Sequence, residues 1–388
     1  MKPIHNDEAQ QTFDRFVHLS AAAGITRIGD VTGLDIVGIP VALGFRPSAR
    51  SLVIAIGKGI TPAAARVGAL MESLECWYAE YVEPDLMDTP YTELIGAAVD
   101  PETLPLAVDF PRRLDLRVRP ASWLRGFGAL SGEPVWTPYD VTSLDYRSKS
   151  LTPPWLARTS NGLASGATRA AAALHGLCEV IERDAEWRWR HSADSRRIDL
   201  GTVNDDDCCV LLEAADRAGI RVAAWDVTSA LGVPCVGVVT MAHPDAGVWG
   251  GGGVHDGFSC HPSPQRAFAA AVLEALQKRL TYISGSRDDL SRAEMAHAAS
   301  PDLATAVWAE ADAEEPTVAW PSAAPADHPE SLFRQLCQTV QELVGQEPVV
   351  VSLAEGESVP SVVKVIVPGL HGPFGMSAPP SCLADLHE

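Results

Sequence analysis

The sequence predicts a mixed α/β (α+β) fold, and three observations carry this prediction. Strand-like and helix-like runs alternate along most of the 388 residues. Apolar residues make up 46% of the chain and charged residues 21%, a balance that is ordinary for globular enzymes and too apolar for a disordered chain. One helix pattern also occurs three times, and it predicts where the functional site lies.

The predicted strands are short runs of β-branched and other apolar residues bounded by turn residues. They lie at about 51–56, 220–227, 234–241, 348–353 and 362–367. The predicted helices have apolar residues three and four positions apart. They lie at about 62–83, 168–191, 206–218, 264–281 and 330–345.

Two segments interrupt this alternation. The stretch at 291–329 is rich in alanine, proline and acidic residues, so we expect a largely surface connection there, with one short helix. The tail at 377–388 is expected to be irregular.

The net charge of −20 argues against two classes of partner. Without a basic stripe, the chain lacks the electrostatic footprint for binding nucleic acid or an anionic membrane surface. The N-terminal residues resemble neither a secretion signal nor a transit peptide, and no apolar run is long enough to span a membrane. The eight cysteines form no CxxC pair and no zinc-type spacing, so the sequence predicts a cytoplasmic protein with reduced thiols.

The repeated helix pattern is the most informative feature of the sequence. The segment TPAAARVGALMESLEC begins at Thr61, and TRAAAALHGLCEVIER begins at Thr168 with matching threonine, alanine, leucine and glutamate positions. A third, partial copy, SPQRAFAAAVLEALQK, begins at Ser263 and has Gln277 in place of the second glutamate. Glycine-bearing turns are predicted before all three copies: GKG at 57–59, GLASG at 162–166 and GGGGVHDG at 250–257.

The glutamates of these helices predict a metal site. In the first two copies they lie three positions apart on one helix face, and the full set is Glu72, Glu75, Glu179, Glu182 and Glu274. A single pair of this kind is usually a solvated face, but these pairs recur within apolar helices, where carboxylates need a cation. Oxygen ligands favour Mg²⁺, which often shares its coordination with phosphate. The sequence therefore predicts Mg²⁺ and a nucleotide, with glycines that let backbone N–H groups approach phosphate.

No catalytic residue is assigned from the sequence. No Ser/His/Asp or Cys/His set can be argued from spacing. The cation-rich segment at 187–191 could pair with an acidic substrate or with glutamate side chains, but a packed helix end is the favoured interpretation.

At these same positions the sequence resembles the YcaO family. The resemblance runs through VTGLDIVGIPV (31–41), RPSARSLVIAIGKG (46–59), ALMESLE (69–75), SNGLASG (160–166), CEVIERDA (178–185), LEALQKRLTYISGSRDDL (273–290) and VIVPGL (365–370). The segments GIPV, GKG, ISGSRDD and PGL make the chain most similar to the TfuA-associated branch. The resemblance implies a single YcaO-type domain over 1–388, with its core at about 31–376 and three glutamate-bearing helices around a nucleotide site.

The resemblance also implies the cofactors ATP and Mg²⁺. The magnesium-binding glutamates of the family fall on the five glutamates named above. Its nucleotide-region residues fall on Lys58, Ser165 and Arg183. The chain departs from the family pattern at four positions where polar residues are expected, namely Gly68, Ala167, Ala171 and Ala270.

The activity implied by the resemblance is ATP-dependent activation of backbone amides in a ribosomally made precursor peptide. The TfuA-associated features favour a thioamide product and a TfuA-like protein as the sulfur-delivery partner. Two alternatives stay open. One is an azoline-forming cyclodehydratase, which the tail SAPPSCLADLHE disfavours because it lacks a PxPxP ending. The other is a non-catalytic peptide-binding subunit, which the four departures would suit. The family also suggests a homodimer.

Overall fold

The structure is a computed structural model that describes residues 4–107, 115–147, 156–192, 196–242, 253–287, 292–293, 296, 300–313, 315–321 and 328–372. Its helices are α1 (Ile4–Phe16), α2 (Pro62–Glu80), α3 (Arg169–Arg190), α4 (Asp206–Arg217), α5 (Pro264–Ser284), α6 (Pro301–Ala313) and α7 (Pro329–Val344). Its strands are β1 (Arg27–Asp30), β2 (Val41–Phe45), β3 (Ile54–Lys58), β4 (Leu86–Pro90), β5 (Pro120–Gly128), β6 (Pro134–Pro138), β7 (Leu163–Gly166), β8 (Ile198–Asp199), β9 (Ile220–Asp226), β10 (Cys235–Ala242), β11 (Val254–Cys260), β12 (Val318–Ala319), β13 (Val349–Gly356) and β14 (Val359–Ile366). Among these residues, no helix has the length and apolar character that a membrane span requires.

Three antiparallel sheets carry the described part of the fold. Their strand orders are β1-β2-β3, β11-β10-β9 and β4-β5-β13-β14-β7, with β6 paired to β5. Helix α2 packs against β2 and β3, α5 packs against β10 and β11, and α3 packs against β7 and β14. Each sheet therefore supports one of the three glutamate-bearing helices.

The three helices also begin in the same way. Thr61, Thr168 and Ser263 occupy the N-cap positions with extended backbone, and each side-chain oxygen accepts a hydrogen bond from the N–H three residues later. Such caps satisfy one of the N–H groups that a helix start leaves free. A strand precedes each cap, so the sequence repeat is a structural repeat of strand, capped turn and helix.

Two glycines let a strand lie unusually close to the helix that follows it. A Cβ atom at Gly57 in β3 would lie 2.0 Å from the carbonyl oxygen of Ala65 in α2. A Cβ atom at Gly257 in β11 would lie 2.2 Å from the carbonyl oxygen of Ala271 in α5. Any larger residue at either position would force the helix away from its sheet.

The mixed α/β fold predicted from the sequence is confirmed, and its main elements lie close to the predicted bounds. The first predicted strand lies further along the chain, at Ile54–Lys58. Gly57 and Lys58 consequently belong to a strand, and the predicted turn at 57–59 is wrong there, because the hydrogen bonds of β3 to β2 continue to Lys58. The turns predicted at 162–166 and 250–257 are wrong for the same kind of reason, because Leu163–Gly166 form β7 and residues 254–257 belong to β11. Residues 250–252 of the third glycine-bearing segment and the tail at 377–388 lie outside the described residues.

The segment at 291–329, expected to be largely a surface connection, contributes to the core where it is described. The short helix expected there is α6, and its Val307 and Ala311 are buried in the same hydrophobic cluster as residues of α3. Trp320 is also buried, and its indole N–H donates to the carbonyl oxygen of Pro264 at 3.0 Å. The apolar residues of this Ala-rich stretch are thus packed, which its composition did not indicate.

A buried ion pair fixes the end of α2. Arg46 is 3% exposed and Glu80 is 0% exposed. The guanidinium of Arg46 donates to both carboxylate oxygens of Glu80, at 3.2 and 2.5 Å. Ser51 donates to the same carboxylate through its backbone N–H at 3.0 Å and its hydroxyl at 2.5 Å. The last turn of α2 is therefore tied to the connection between β2 and β3.

We expect Glu80→Ala to lower the free energy of unfolding by about 3–5 kcal/mol, because it leaves the buried guanidinium of Arg46 without its partner. Urea denaturation measures this loss. The matched control is Arg117→Ala, since Arg117 forms an ion pair with Asp100 at 48% side-chain exposure, and solvent-exposed pairs of this kind contribute little to stability. Equal losses in the two variants would contradict the prediction.

Candidate functional site

The structure brings the five glutamates of the repeated helices into one cluster. Glu72 and Glu75 of α2 both interact electrostatically with Glu179 of α3. Glu182 of α3 interacts with Glu179 and with Glu274 of α5. Carboxylates from three helices, each supported by a different sheet, therefore face a common space.

Each of two glutamates is anchored by the strand region that precedes its own helix. The backbone N–H of Ile56 in β3 donates to Glu72 at 3.1 Å. The backbone N–H of Gly162, just before β7, donates to Glu179 at 3.2 Å. These bonds fix the carboxylates against the ends of the strands.

Three further contacts join each repeat to the next. The hydroxyl of Ser165 in β7 donates to Glu75 of α2 at 2.5 Å. The backbone N–H of Cys260 in β11 donates to Glu182 of α3 at 3.1 Å. Lys58 in β3 lies 3.6 Å from Glu274 of α5, measured from Nζ to Oε2. The second repeat thus contacts the first, the third contacts the second, and the first contacts the third, which closes a ring around the carboxylates.

Burial raises the pKa of most of these carboxylates. It raises the pKa of Glu75 to about 8, and the neighbouring charge of Glu72 adds to this effect, while the Ser165 hydrogen bond opposes it. Burial likewise raises the pKa of Glu182 to about 8. The surroundings of Glu72 raise its pKa as well, but its side chain is exposed, so contact with water limits the effect of burial there. Burial also raises the pKa of Glu179. Without a cation, this part of the cluster retains protons near neutral pH.

Glu274 differs from the other four glutamates. Burial alone would raise its pKa, but the positive charges of Lys58, Lys278 and Arg183 lower it below the ordinary value. Lys278 lies 3.5 Å from Glu274, on the same helix, and Lys58 lies at 3.6 Å. The cluster is therefore polarised, with its cations gathered around Glu274 and Glu182.

A network of ion pairs extends this cationic end into the protein. Arg183 lies 3.4 Å from Glu182 and 2.9 Å from Glu186. Arg190 joins Glu186 at 2.9 Å to Asp256 at 2.6 Å. Asp256 is 4% exposed and also pairs with Lys278 at 2.8 Å. The charges alternate in sign along this path, so each partly compensates its neighbour in low-polarity surroundings.

Sequence reasoning missed four members of this network, namely Glu186, Arg190, Asp256 and Lys278. A helical signal for three of them was present, since Glu186 and Arg190 follow Glu182 at successive four-residue steps and Lys278 follows Glu274 by four. The segment at 187–191 ends helix α3, as expected. It also has a defined electrostatic contact, because Arg190 donates hydrogen bonds to both Glu186 and Asp256. Asp256 lies on β11, and no local pattern links it to α3.

The donor set fits a hard divalent cation. The five side chains offer only oxygen, and Gln277 occupies the place in the third repeat that Glu75 and Glu182 occupy in the others. Its Oε1 is buried and has no hydrogen-bond partner among the described residues. Within the described part of the chain, no group of three or more acidic, histidine or cysteine side chains is arranged so that it could hold a metal ion by itself. Mg²⁺ commonly takes only one or two protein carboxylates. An open arrangement suits Mg²⁺, which keeps water and phosphate among its ligands.

The positions predicted to contact nucleotide lie at the same cluster. Lys58 and Arg183 pair with Glu274 and Glu182, while Ser165 donates to Glu75. Among the departures from the family pattern, Gly68 has a structural reason, because a Cβ atom there would lie 3.1 Å from Cα of Gly57. Ala167 is exposed, and Ala171 and Ala270 are partly buried.

The chain is similar to a known protein family and to a related bacterial protein. A family profile described as YcaO cyclodehydratase, ATP- and Mg²⁺-binding, matches residues 56–371. A protein from the tfuA 3′ region of Rhizobium leguminosarum bv. trifolii is 37% identical over 280 residues, which cover 69% of this chain and 64% of that protein. The family description agrees with the cofactors predicted from the sequence, ATP and Mg²⁺.

Two solved structures share the fold. YcaO from Methanopyrus kandleri, bound with AMPPCP and Mg²⁺, is 24% identical with a TM-score of 0.71, over 94% of this chain and 91% of that chain. A heterocyclase in complex with substrate and cofactor is 22% identical with a TM-score of 0.75, over 95% of this chain and 53% of that chain. The chain therefore spans about half of the heterocyclase.

We expect the metal-free protein, kept in chelator, to lose stability as the pH rises from about 5 to 8. The folded state holds protons on Glu75 and Glu182 up to a pKa of about 8, whereas the unfolded state releases them near 4.5. The folded state then binds more protons than the unfolded state, so the free energy of unfolding falls with rising pH.

Glu75→Gln should flatten this dependence, by up to about 1.4 kcal/mol per pH unit, as measured by urea denaturation at a series of pH values. The matched control is Glu213→Gln, because Glu213 is exposed on α4 and should leave the slope unchanged. A slope in Glu75→Gln that equals that of the original protein would show that Glu75 is ionised throughout this range.

Proposed function

This chain belongs to the YcaO family, which is ATP- and Mg²⁺-binding, and we propose that it uses both to convert a peptide backbone amide into a thioamide. The observation that carries the proposal is the ring of three helices that gathers five carboxylates beside Lys58, Lys278 and Arg183. Such a polarised site suits a metal ion together with the negatively charged phosphates of ATP.

The five glutamates are proposed to hold Mg²⁺: Glu72, Glu75, Glu179, Glu182 and Glu274. Bound Mg²⁺ would neutralise charge on the phosphates during transfer. Lys58 and Arg183 are proposed to bind phosphate oxygens, and Ser165 is proposed to contact the nucleotide region while it orients Glu75. Holding nucleotide and peptide carbonyl in a fixed geometry is the main contribution that this kind of site makes to phosphoryl transfer.

The proposed reaction balances without an oxidant or a reductant. Hydrosulfide adds to the carbonyl carbon of the peptide, and the resulting oxyanion takes the γ-phosphoryl group of ATP, releasing ADP. The C–O bond then breaks, phosphate leaves with the former amide oxygen, and the hydrogen from hydrosulfide is released to it. A C=S bond remains, so the products are thioamide, ADP and phosphate.

Support for sulfur as the nucleophile comes from the relative in the tfuA 3′ region and from the TfuA-associated sequence features. A TfuA-like protein is accordingly proposed as the sulfur-delivery partner, and a ribosomally made precursor peptide as the substrate. An azoline-forming cyclodehydratase is the nearest alternative, because the family profile carries the cyclodehydratase description. In that reaction a neighbouring side chain of the peptide would replace hydrosulfide.

A non-catalytic peptide-binding subunit is the second alternative, and the observation that favours it is the set of small residues at Gly68, Ala167, Ala171 and Ala270. Each lost hydrogen bond contributes about 1 kcal/mol, so four losses would weaken nucleotide binding by about a thousandfold. The charged groups of the site, however, are all present.

The test combines the full chain, a TfuA-like partner, ATP, Mg²⁺, sodium hydrosulfide and a precursor peptide, with the product analysed by mass spectrometry. Replacement of one oxygen by sulfur is the expected mass change. Loss of water would indicate the azoline instead. An unmodified peptide, together with no Mg²⁺-dependent binding of ATP in calorimetry, would favour the binding subunit and contradict the proposal.

We expect Glu179→Gln to abolish Mg²⁺-dependent ATP binding and to lower kcat/KM for peptide at least about 100-fold, equivalent to about 2.7 kcal/mol of lost transition-state stabilisation. Glu179 is chosen because it interacts with Glu72, Glu75 and Glu182 together. Calorimetry and initial rates measure the two effects, with the exposed Glu213→Gln as the control. Retention of metal-dependent ATP binding in Glu179→Gln would remove this carboxylate from the metal site.

A further inference from the structure

A small cavity lies beside β14, and one of its lining residues, Lys364, interacts electrostatically with Glu179 of the carboxylate cluster. Its volume is about 50 Å³, and the residues that border it include Thr159, Asn161, Lys364, Ile366 and His371. One water molecule needs roughly 10–15 Å³, whereas pockets for drug-sized ligands measure roughly 300–1,000 Å³. The cavity is therefore too small for a nucleotide or a peptide, and it has room for about three to five water-sized groups, such as a small anion with some water.

The cavity is bordered by polar groups that the protein does not fully satisfy. Lys364 is 3% exposed, and its ammonium group donates a hydrogen bond to the carbonyl oxygen of Thr159 at 2.7 Å. An ammonium group has three N–H donors, and this is its one hydrogen bond to the described residues. The Oδ1 atom of Asn161 is buried and has no hydrogen-bond partner in the described part of the chain.

Among the described residues, no carboxylate forms an ion pair with the ammonium group of Lys364. Glu179 is near enough to oppose the effect of burial, which lowers the pKa of Lys364 to about 8. The Glu179 carboxylate, however, accepts a hydrogen bond from Gly162, and in the proposed function it serves the metal. An uncompensated buried ammonium is unfavourable, so this cavity favours a small anion.

We propose that the cavity binds the hydrosulfide ion and supplies it to the peptide carbonyl, an inference that rests on the proposed thioamide-forming function. Hydrosulfide carries one negative charge and one heavy atom, so it fits the volume. It would accept hydrogen bonds from the Lys364 ammonium group. Its own S–H, a weak donor, would be directed to Oδ1 of Asn161.

The position of the cavity supports this assignment. Asn161 immediately precedes Gly162, whose N–H donates to Glu179 at 3.2 Å. Lys364 lies opposite Leu163 in the pairing of β14 with β7, and Ser165 of the same strand donates to Glu75. The short segment 161–165 therefore supplies both Asn161 of the cavity and the two donors, Gly162 and Ser165, that orient Glu179 and Glu75, so one stretch of chain links the cavity to the carboxylates.

The test measures the rate of thioamide formation against sodium hydrosulfide concentration at saturating ATP and Mg²⁺. Lys364→Met keeps the apolar stem of the side chain and removes the charge. We expect it to raise KM for hydrosulfide at least tenfold while the Kd for ATP with Mg²⁺ changes less than twofold. Asn161→Ala should raise the same KM to a smaller extent. The control is Glu213→Gln, an exposed position on α4 outside the cavity, which should leave KM within twofold.

An unchanged KM for hydrosulfide in Lys364→Met, with an active original protein, would overturn the inference. Equal changes in KM for hydrosulfide and in ATP affinity would also overturn it, because they would indicate a structural role for Lys364. Failure of the proposed function looks different, since the original protein would then form no thioamide at any hydrosulfide concentration.

A direct measurement tests the site independently of activity. Crystals soaked in bromide, a monovalent anion with a strong anomalous signal, should show a peak within hydrogen-bonding distance of Lys364 Nζ. The peak should disappear in Lys364→Met. Absence of the peak in the original protein would overturn the anion site even if thioamide forms.

Discussion

The structure depends on one constraint, which is that carboxylates from three helices share a space where burial and mutual repulsion both oppose their ionisation. Two features make the arrangement stable enough to fold. Glu75 and Glu182 each accept a hydrogen bond from the strand of the next repeat, and Lys58 closes the third contact by pairing with Glu274. Because every repeat contacts both others, the carboxylates cannot separate unless the packing of the helices on their sheets changes as well.

The polarity of the cluster centres on Glu274 of the third repeat, which interacts with Lys58 of the first repeat, Arg183 of the second and its own neighbour Lys278. In that repeat the second glutamate is replaced by Gln277, and Lys278 stands beside it, so α5 brings one carboxylate and one cation where α2 and α3 each bring two carboxylates. The nearby carboxylate of Asp256 forms ion pairs with both Lys278 and Arg190. A site with its acidic groups at one end and its cations at the other has a direction, and this direction suits a metal at the acidic end and phosphate at the cationic end.

The helices of the site could be predicted from patterns among neighbouring residues, whereas the contacts between distant segments could not. The helices α2, α3 and α5 were predicted because their apolar spacing, their caps and their glutamates are all encoded within some twenty consecutive residues. The contacts that close the ring were not, since Ser165 and Glu75 lie 90 positions apart and Cys260 and Glu182 lie 78 apart. Asp256 was missed for the same reason, because its partners belong to other elements. The packing of α6 was missed because an Ala-rich stretch gives a weak apolar pattern whether or not its Val307 is buried.

Gly68 shows why a missing side chain need not mean a missing function. The family resemblance led us to expect a polar residue there, and its absence suggested a weakened site. In this chain, however, Gly68 of α2 lies against Gly57 of β3, where a Cβ atom would lie 3.1 Å from the Gly57 Cα. That approach holds β3 against α2 and so allows the N–H of Ile56 to reach Glu72 at 3.1 Å. It also fixes the strand end from which Lys58 reaches Glu274. A side chain at 68 would require β3 to shift by a few tenths of an ångström, in the strand that carries two other contacts of the cluster. The glycine therefore has a packing reason and need not mean that the site is inactive.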